Sequence, residues 1–165
     1  MNPIKKILAP SDLSDMSETG VRYALELARR LDAQVVVYYA VCLDEFVRYE
    51  VTHVRPLLMD VLLEQHRLQL ARFLDRRFAD ILPLVEVKQV VELGNPDENI
   101  VTKAKEEGMD LIVISTHGRT GLSHMFMGSV TENVIRHAPC PVLSIRSETA
   151  EKQNNEAAAS METAP

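Results

Sequence analysis

The run Leu111-Ile112-Val113-Ile114, followed by Ser115-Thr116-His117-Gly118, decides the fold class. It holds four large aliphatic residues in a row, three of them β-branched, with no polar alternation. A strand with one wet face alternates apolar and polar residues. An unbroken apolar strand is buried on both faces, the situation of a central strand in a parallel sheet. Parallel neighbours need long crossovers, so helices should precede and follow this run.

They do. Upstream, Asn95-Pro96-Asp97-Glu98 combines a helix cap, a proline at the first helical position and first-turn acids, and that helix ends before Gly108. Downstream, Ser129-Val130-Thr131-Glu132 reads as a capping box opening a helix that Pro139 must stop, and Pro141 to Ile145 reads as the last strand. Towards the start of the chain, Ile4 to Ala9 is a short strand, and Asp15-Met16-Ser17-Glu18 reads as a helix cap with a carboxylate three residues on. Val21, Ala24, Leu25, Ala28 and Leu31 follow at helical spacing, and Gln34 to Val41 is a β-branched and aromatic strand. Val54, Leu57, Val61, Leu68, Ala71, Leu74 and Phe78 mark a long helix, and Val85 to Val91 a third strand. The sum is β-α-β-α-β-α-β-α-β: an open, doubly wound α/β fold with five parallel strands and right-handed crossovers. The pattern alone leaves two common strand orders open.

The chain has 165 residues, against a prior of roughly 150 per domain, so one domain is expected. With 46% hydrophobic and 25% charged residues the composition is that of an ordinary globular protein. The net charge of −6 argues against nucleic-acid binding, which rests on clustered Lys and Arg. No apolar run approaches the roughly 18 residues of a membrane span, and the apolar start is too short for a signal peptide, so a cytoplasmic protein is expected. Cys42 and Cys140 form no CxxC pair and read as small apolar residues at strand ends. From Ser147 to Pro165 the only large apolar residue is Met161, among four glutamates and one lysine. The expectation is a folded domain over 1–146 and a disordered acidic tail over 147–165.

In doubly wound sheets ligands bind outside the carboxyl ends of the strands, where the strand order reverses. This points to Pro10-Ser11-Asp12 after the first strand and to Ser115-Thr116-His117-Gly118 after the fourth. Three of the six glycines, Gly118, Gly121 and Gly128, fall in the loop that follows the fourth strand and runs into the Ser129 helix. Glycines beside a helix N-terminus form an anion cradle, because the backbone can approach the ligand and the helix end offers unpaired N–H groups. Turn-making alone explains the same glycines, and the two readings stand side by side. A P-loop is excluded by the absence of GxxxxGK[ST], and a dinucleotide fold is disfavoured by the absence of GxGxxG after the first strand.

Ala9-Pro10-Ser11-Asp12-Leu13-Ser14, Ser115-Thr116-His117-Gly118-Arg119-Thr120-Gly121, Gly128-Ser129-Val130-Thr131-Glu132 and Ala138-Pro139-Cys140-Pro141-Val142-Leu143 together resemble the universal stress protein family. The resemblance spans roughly residues 1 to 146. The family's nucleotide signature is glycine, two residues, glycine, nine residues, then glycine with Ser or Thr. Gly118 matches the second glycine and Gly128-Ser129 the close, whereas Ser115 replaces the first. A positive φ at that position would strain a serine, and an extended strand end would not.

The resemblance implies strand order 3-2-1-4-5 and an ATP site between the first and fourth strands. Pro10, Ser11 and Asp12 would then stand at the adenine and ribose end, with Val41 lining the base. Ser115, Thr116, His117, Gly118 and Arg119 would form the phosphate loop, and Gly128, Ser129, Val130 and Thr131 its far wall. Asp12 also has a reading as a loop-capping carboxylate, Val41 as strand-end packing, and His117 and Arg119 as solvated residues. Magnesium or manganese would enter only as a bridge between phosphates, since no carboxylate cluster marks a metal site.

The expected function is an adenine-nucleotide-binding (ATP-binding) regulatory protein of the stress response, not an enzyme, with at most very slow ATP hydrolysis because no general base stands near the loop. It would act on a protein partner whose identity the sequence does not give. A non-nucleotide-binding interaction module of the same fold is the alternative. A phospho-acceptor receiver lacks the acceptor aspartate after the third strand and a lysine after the last. A flavin carrier lacks flanking aromatics. Val142, Leu143 and Ile145 form an ungated apolar edge, and the resemblance also implies a homodimer through this strand.

Overall fold

The computed structural model describes residues 3–42, 56–116 and 129–146. The expected tail (147–165), the expected glycine loop (117–128) and Val54 of the expected long helix lie outside the described residues. In chain order the elements are β1 (Lys6–Pro10), α1 (Asp15–Leu31), β2 (Gln34–Val41), α2 (Pro56–Phe78), β3 (Val87–Leu93), α3 (Pro96–Glu106), β4 (Leu111–Ser115), α4 (Ser129–His137) and β5 (Val142–Ile145). A 3₁₀ turn over Leu82–Leu84 precedes β3.

The five strands are parallel in the order β3-β2-β1-β4-β5. Strand residues alternate between two cores because successive side chains point to opposite faces. Ile7, Ala9, Val35, Val37, Leu111 and Val113 meet Val21, Ala24 and Leu25 of α1 and Leu70, Leu74 and Phe78 of α2. Leu8, Val36, Tyr38, Ile112 and Ile114 meet Ile100 and Ala104 of α3 and Val134 of α4. The apolar run of β4 is therefore divided between two layers, each fully buried large side chain contributing roughly 1.5–3 kcal/mol.

Local readings shift where side-chain geometry overrides spacing. The α1 cap is Ser14, not Asp15: the Ser14 side chain accepts the Ser17 N–H, and Asp15 sits in the first turn. Ser129 is the first described residue of α4, and Glu132 pairs with Arg136 at 2.7 Å. Strand β3 starts two residues later than expected, because the 3₁₀ turn closes through Val85 N–H to the Leu82 carbonyl. Val61 and Leu68 follow the helical pattern but point outward from α2. Cys140 packs beside the second core, whereas Cys42, just past β2, is exposed.

Candidate functional site

Strands β1 and β4 pair only at Ile7↔Leu111 and Leu8↔Ile112. The outer ladders continue further, to Pro10↔Tyr38 on one side and Ser115↔Ile145 on the other. Main-chain pairing of the two central strands thus ends short of their carboxyl ends, at the point where the strand order reverses and a cleft is expected. Pro10 contributes by chemistry, since it has no N–H to extend a ladder.

One wall of the cleft is the loop from β1 into α1. Ser11 N–H donates to the Tyr38 carbonyl at 2.9 Å, which anchors the start of the loop to β2. Two hydroxyl relays then hold it. Leu13 N–H donates to Ser11 Oγ at 3.0 Å, Ser11 Oγ lies 2.8 Å from Ser17 Oγ, and the Ser17 hydroxyl donates to the Ser14 carbonyl at 2.9 Å. With the Ser17 proton so used, Ser11 is the donor of that pair. In the second relay Ser17 N–H donates to Ser14 Oγ at 3.2 Å, and Asp12 Oδ1 accepts both the Ser14 hydroxyl at 2.5 Å and the Ser14 N–H at 3.0 Å. Asp12 therefore has the loop-capping role for one of its oxygens. The bonds hold Leu13 in the left-handed region at φ 64°, uncommon for a branched side chain and typical of over-determined loops at binding sites. Arg77 of α2 fixes the helix start, reaching Asp15 at 2.6 Å and Glu18 at 3.0 Å.

The other wall begins at Ser115, which ends β4 in ordinary extended geometry. Leu13 and Asp32 are the non-glycine positive-φ residues described, so the serine is unstrained at the position of the family's first glycine. Its hydroxyl accepts the Gly20 N–H at 3.0 Å, and its carbonyl accepts the Thr131 hydroxyl at 2.8 Å. Ser115 and Thr131 are both buried. Thr116 N–H donates to the Ile145 carbonyl at 2.9 Å, tying the start of the loop to β5. Val130 is half-buried against the second core and Ser129 is exposed. Val41 is 4% exposed within the α1/α2 core, and its carbonyl accepts the Gly94 N–H.

Behind the cleft on the α3 side, the buried Tyr38 hydroxyl donates to Glu92 at 2.9 Å, and Lys103 pairs with Glu92. Burial, reinforced by Glu92, pushes the Tyr38 phenol well above its ordinary range. Burial alone would lower the Lys103 ammonium, but Glu92, Glu107 and Glu106 outweigh it and hold the group above its usual value. Among the described residues no three His, Cys, Asp or Glu side chains are grouped to hold a metal ion, and no helix is long and apolar enough to cross a membrane.

Of the expected site residues, Pro10, Ser11 and Asp12 come together on one wall and Ser115, Thr116 and Thr131 on the other. His117, Gly118, Arg119 and Gly128 lie outside the described residues. Gly20 was legible only as a glycine inside a helical pattern, an arrangement that costs about 1 kcal/mol and so signals a packing reason. That reason is close approach: a Cβ on Gly20 would lie 2.7 Å from Ser115 Oγ and 2.9 Å from Ser115 N.

The family model described as "Universal stress protein family" matches residues 3–146. Universal stress protein MJ0531 of Methanocaldococcus jannaschii is 34% identical over 145 residues, covering 88% of this chain and 84% of its own length. Universal stress protein UspA from Lactobacillus plantarum superposes with a TM-score of 0.72 at 27% identity, over 88% of this chain and 100% of that one. A universal stress protein solved in complex with cAMP has a TM-score of 0.62 at 21% identity, covering 88% of this chain and 98% of its own, which is a likeness of fold.

Proposed function

This chain belongs to the universal stress protein family, and from that premise we propose that it is a regulatory protein that binds an adenine nucleotide, ATP foremost, in the cleft between β1 and β4. The observation that carries the reading is the early end of the β1–β4 ladder after Leu8↔Ile112, which opens the sheet at its order reversal. The Ser11–Ser14 loop supplies a braced wall for the adenosine end, with Asp12 at its lip. The segment from Thr116 through Gly118 to Ser129 supplies backbone amides for the phosphates, ahead of the positive end of α4. Magnesium or manganese, if it accompanies the nucleotide, is held by phosphate oxygens. The protein acts through a nucleotide-dependent surface, as a cytoplasmic homodimer joined through β5, and not as an enzyme.

One observation favours the non-nucleotide interaction module instead: Asp12 spends one carboxylate oxygen on Ser14. Titration of the full chain with ATP and with adenosine in a calorimeter, beside mass spectrometry of nucleotide released from gently purified protein, separates the two readings. The nucleotide reading expects one ATP bound per chain, tighter than adenosine. No heat at millimolar ATP together with no co-purifying nucleotide overturns it in favour of the interaction module.

A further inference from the structure

With the β1–β4 ladder ended at Leu8↔Ile112, main-chain pairing no longer fixes the distance between the walls of the cleft. One side-chain bond crosses the gap instead, and a second ties the residue that makes it to α4. The Ser115 hydroxyl reaches across from β4 to the Gly20 N–H of α1, the helix that carries the Ser11–Ser14 loop. The Ser115 carbonyl takes the Thr131 hydroxyl of α4, the helix beyond the glycine loop. We infer that Ser115 is a positioning residue of the cleft, one that sets nucleotide affinity by holding the α1 and α4 walls at a fixed separation.

Three features support this role. Both groups Ser115 offers are turned into the fold, and the residue is buried, so its contribution passes through its neighbours. The contact is fitted on both sides: Gly20 lacks the Cβ that would collide with Ser115 Oγ and with the Ser115 backbone nitrogen. The bonds lie at the open end of the sheet, whereas the closed end has its own ties from Asp110 to Lys5 and Lys6 N–H at 2.9 Å each. A serine where the family signature has glycine thus adds a cross-brace that glycine cannot make, because glycine has no hydroxyl.

The inference rests on the nucleotide reading, and its test keeps the two apart. The full chain as wild type, Ser115→Ala, Thr131→Val and the double variant are titrated with ATP at a temperature where circular dichroism finds each fully folded. Hydrogen exchange at the Gly20 amide is followed with and without ATP. The expected result is about a 5- to 10-fold loss of ATP affinity in each single variant, the usual size of coupling through a shared element. The double variant should lose less than the product of the two, because both bonds act through one residue. The Gly20 amide should exchange more slowly in wild type when ATP binds. A brace for stability alone would lower melting temperatures and leave the affinity of the folded protein unchanged, and that outcome overturns the inference while leaving the nucleotide reading standing. Should Ser115→Ala not fold, Thr131→Val and the wild-type exchange data decide alone. Wild type that takes up no ATP removes the nucleotide reading, and the inference falls with it.

Discussion

The backbone nitrogen of Gly20 lies 3.0 Å from the hydroxyl oxygen of Ser115, joining the middle of α1 to the end of β4 across 95 positions of sequence. A methyl group on Gly20 would meet the Ser115 backbone nitrogen at 2.9 Å, an atom that cannot rotate away. Gly20→Ala gains about 1 kcal/mol of helix propensity and incurs overpacking of typically 1–3 kcal/mol. The expected outcome is a net loss of about 1 kcal/mol, read as a lower urea midpoint with an unchanged slope. A midpoint at or above wild type would mean that α1 slides on β4 without penalty.

Gly118→Val tests the phosphate loop directly. Branched side-chain atoms would push phosphate from backbone amides, so ATP affinity should fall at least about 10-fold, equivalent to roughly 1.4 kcal/mol. Asp12→Ala should change the preference for adenosine more than the hold on phosphate. Calorimetry on variants confirmed as folded reads both effects, and wild-type affinity in Gly118→Val would reduce the loop to a turn.

Strand β5 is an edge, paired on one side only. Pro141 and Ile145 give their carbonyls to β4, so by alternation Val142 and Ser144 turn their backbone groups outward. Proline is tolerated on an edge where its missing N–H would face away from the sheet. Ser144→Pro should therefore leave the fold intact and convert a dimer to a monomer in sedimentation at high micromolar concentration. A wild-type monomer under those conditions, or a Ser144→Pro dimer, would remove β5 as the interface.

The Asp110 carboxylate accepts the Lys5 and Lys6 N–H groups, and these bonds hold its pKa below the usual carboxylate value. A carboxyl whose folded pKa is depressed contributes stability above its unfolded pKa, about 3.9, and loses it as pH falls through the lower folded value. Asp110→Asn should thus be less stable than wild type at pH 6, and the difference should shrink below about pH 4. Thermal melts of both proteins from pH 6 to pH 3 measure it. A gap that stays constant with pH would assign the effect to shape and not to charge.

The fold was legible because β4 is an uninterrupted aliphatic run and each crossover carries its own cap and stop signals. The helix cap slipped by one residue because Ser14 and Asp15 are both good caps, and only the Ser17 N–H direction chooses between them. Val61 and Leu68 fitted the helix period, yet a stripe of apolar residues does not reveal which face meets the sheet until Leu70, Leu74 and Phe78 take the core. For the proposed cleft, the residue types that follow β1 and β4 were readable from sequence. The early ladder end between β1 and β4, and the inward turn of the Ser115 hydroxyl, belong to pairing between segments about a hundred residues apart and leave no local signature.

The Asp110 clasp gives the cleft a pivot. It joins the chain just before β4 to the start of β1, at the end of the sheet farthest from the opening, while Ile7↔Leu111 and Leu8↔Ile112 rivet the next two rungs. Any widening that admits a bulky guest must then swing about that fixed end, like a book opened from its spine. Leverage about that end would be greatest at Pro10 and least at Lys6, and the Ser115–Gly20 bond stands where it would oppose such a swing. If a guest does enter there, as proposed above, a change at Asp110 would act on its entry and exit from the spine, far from any atom the guest touches.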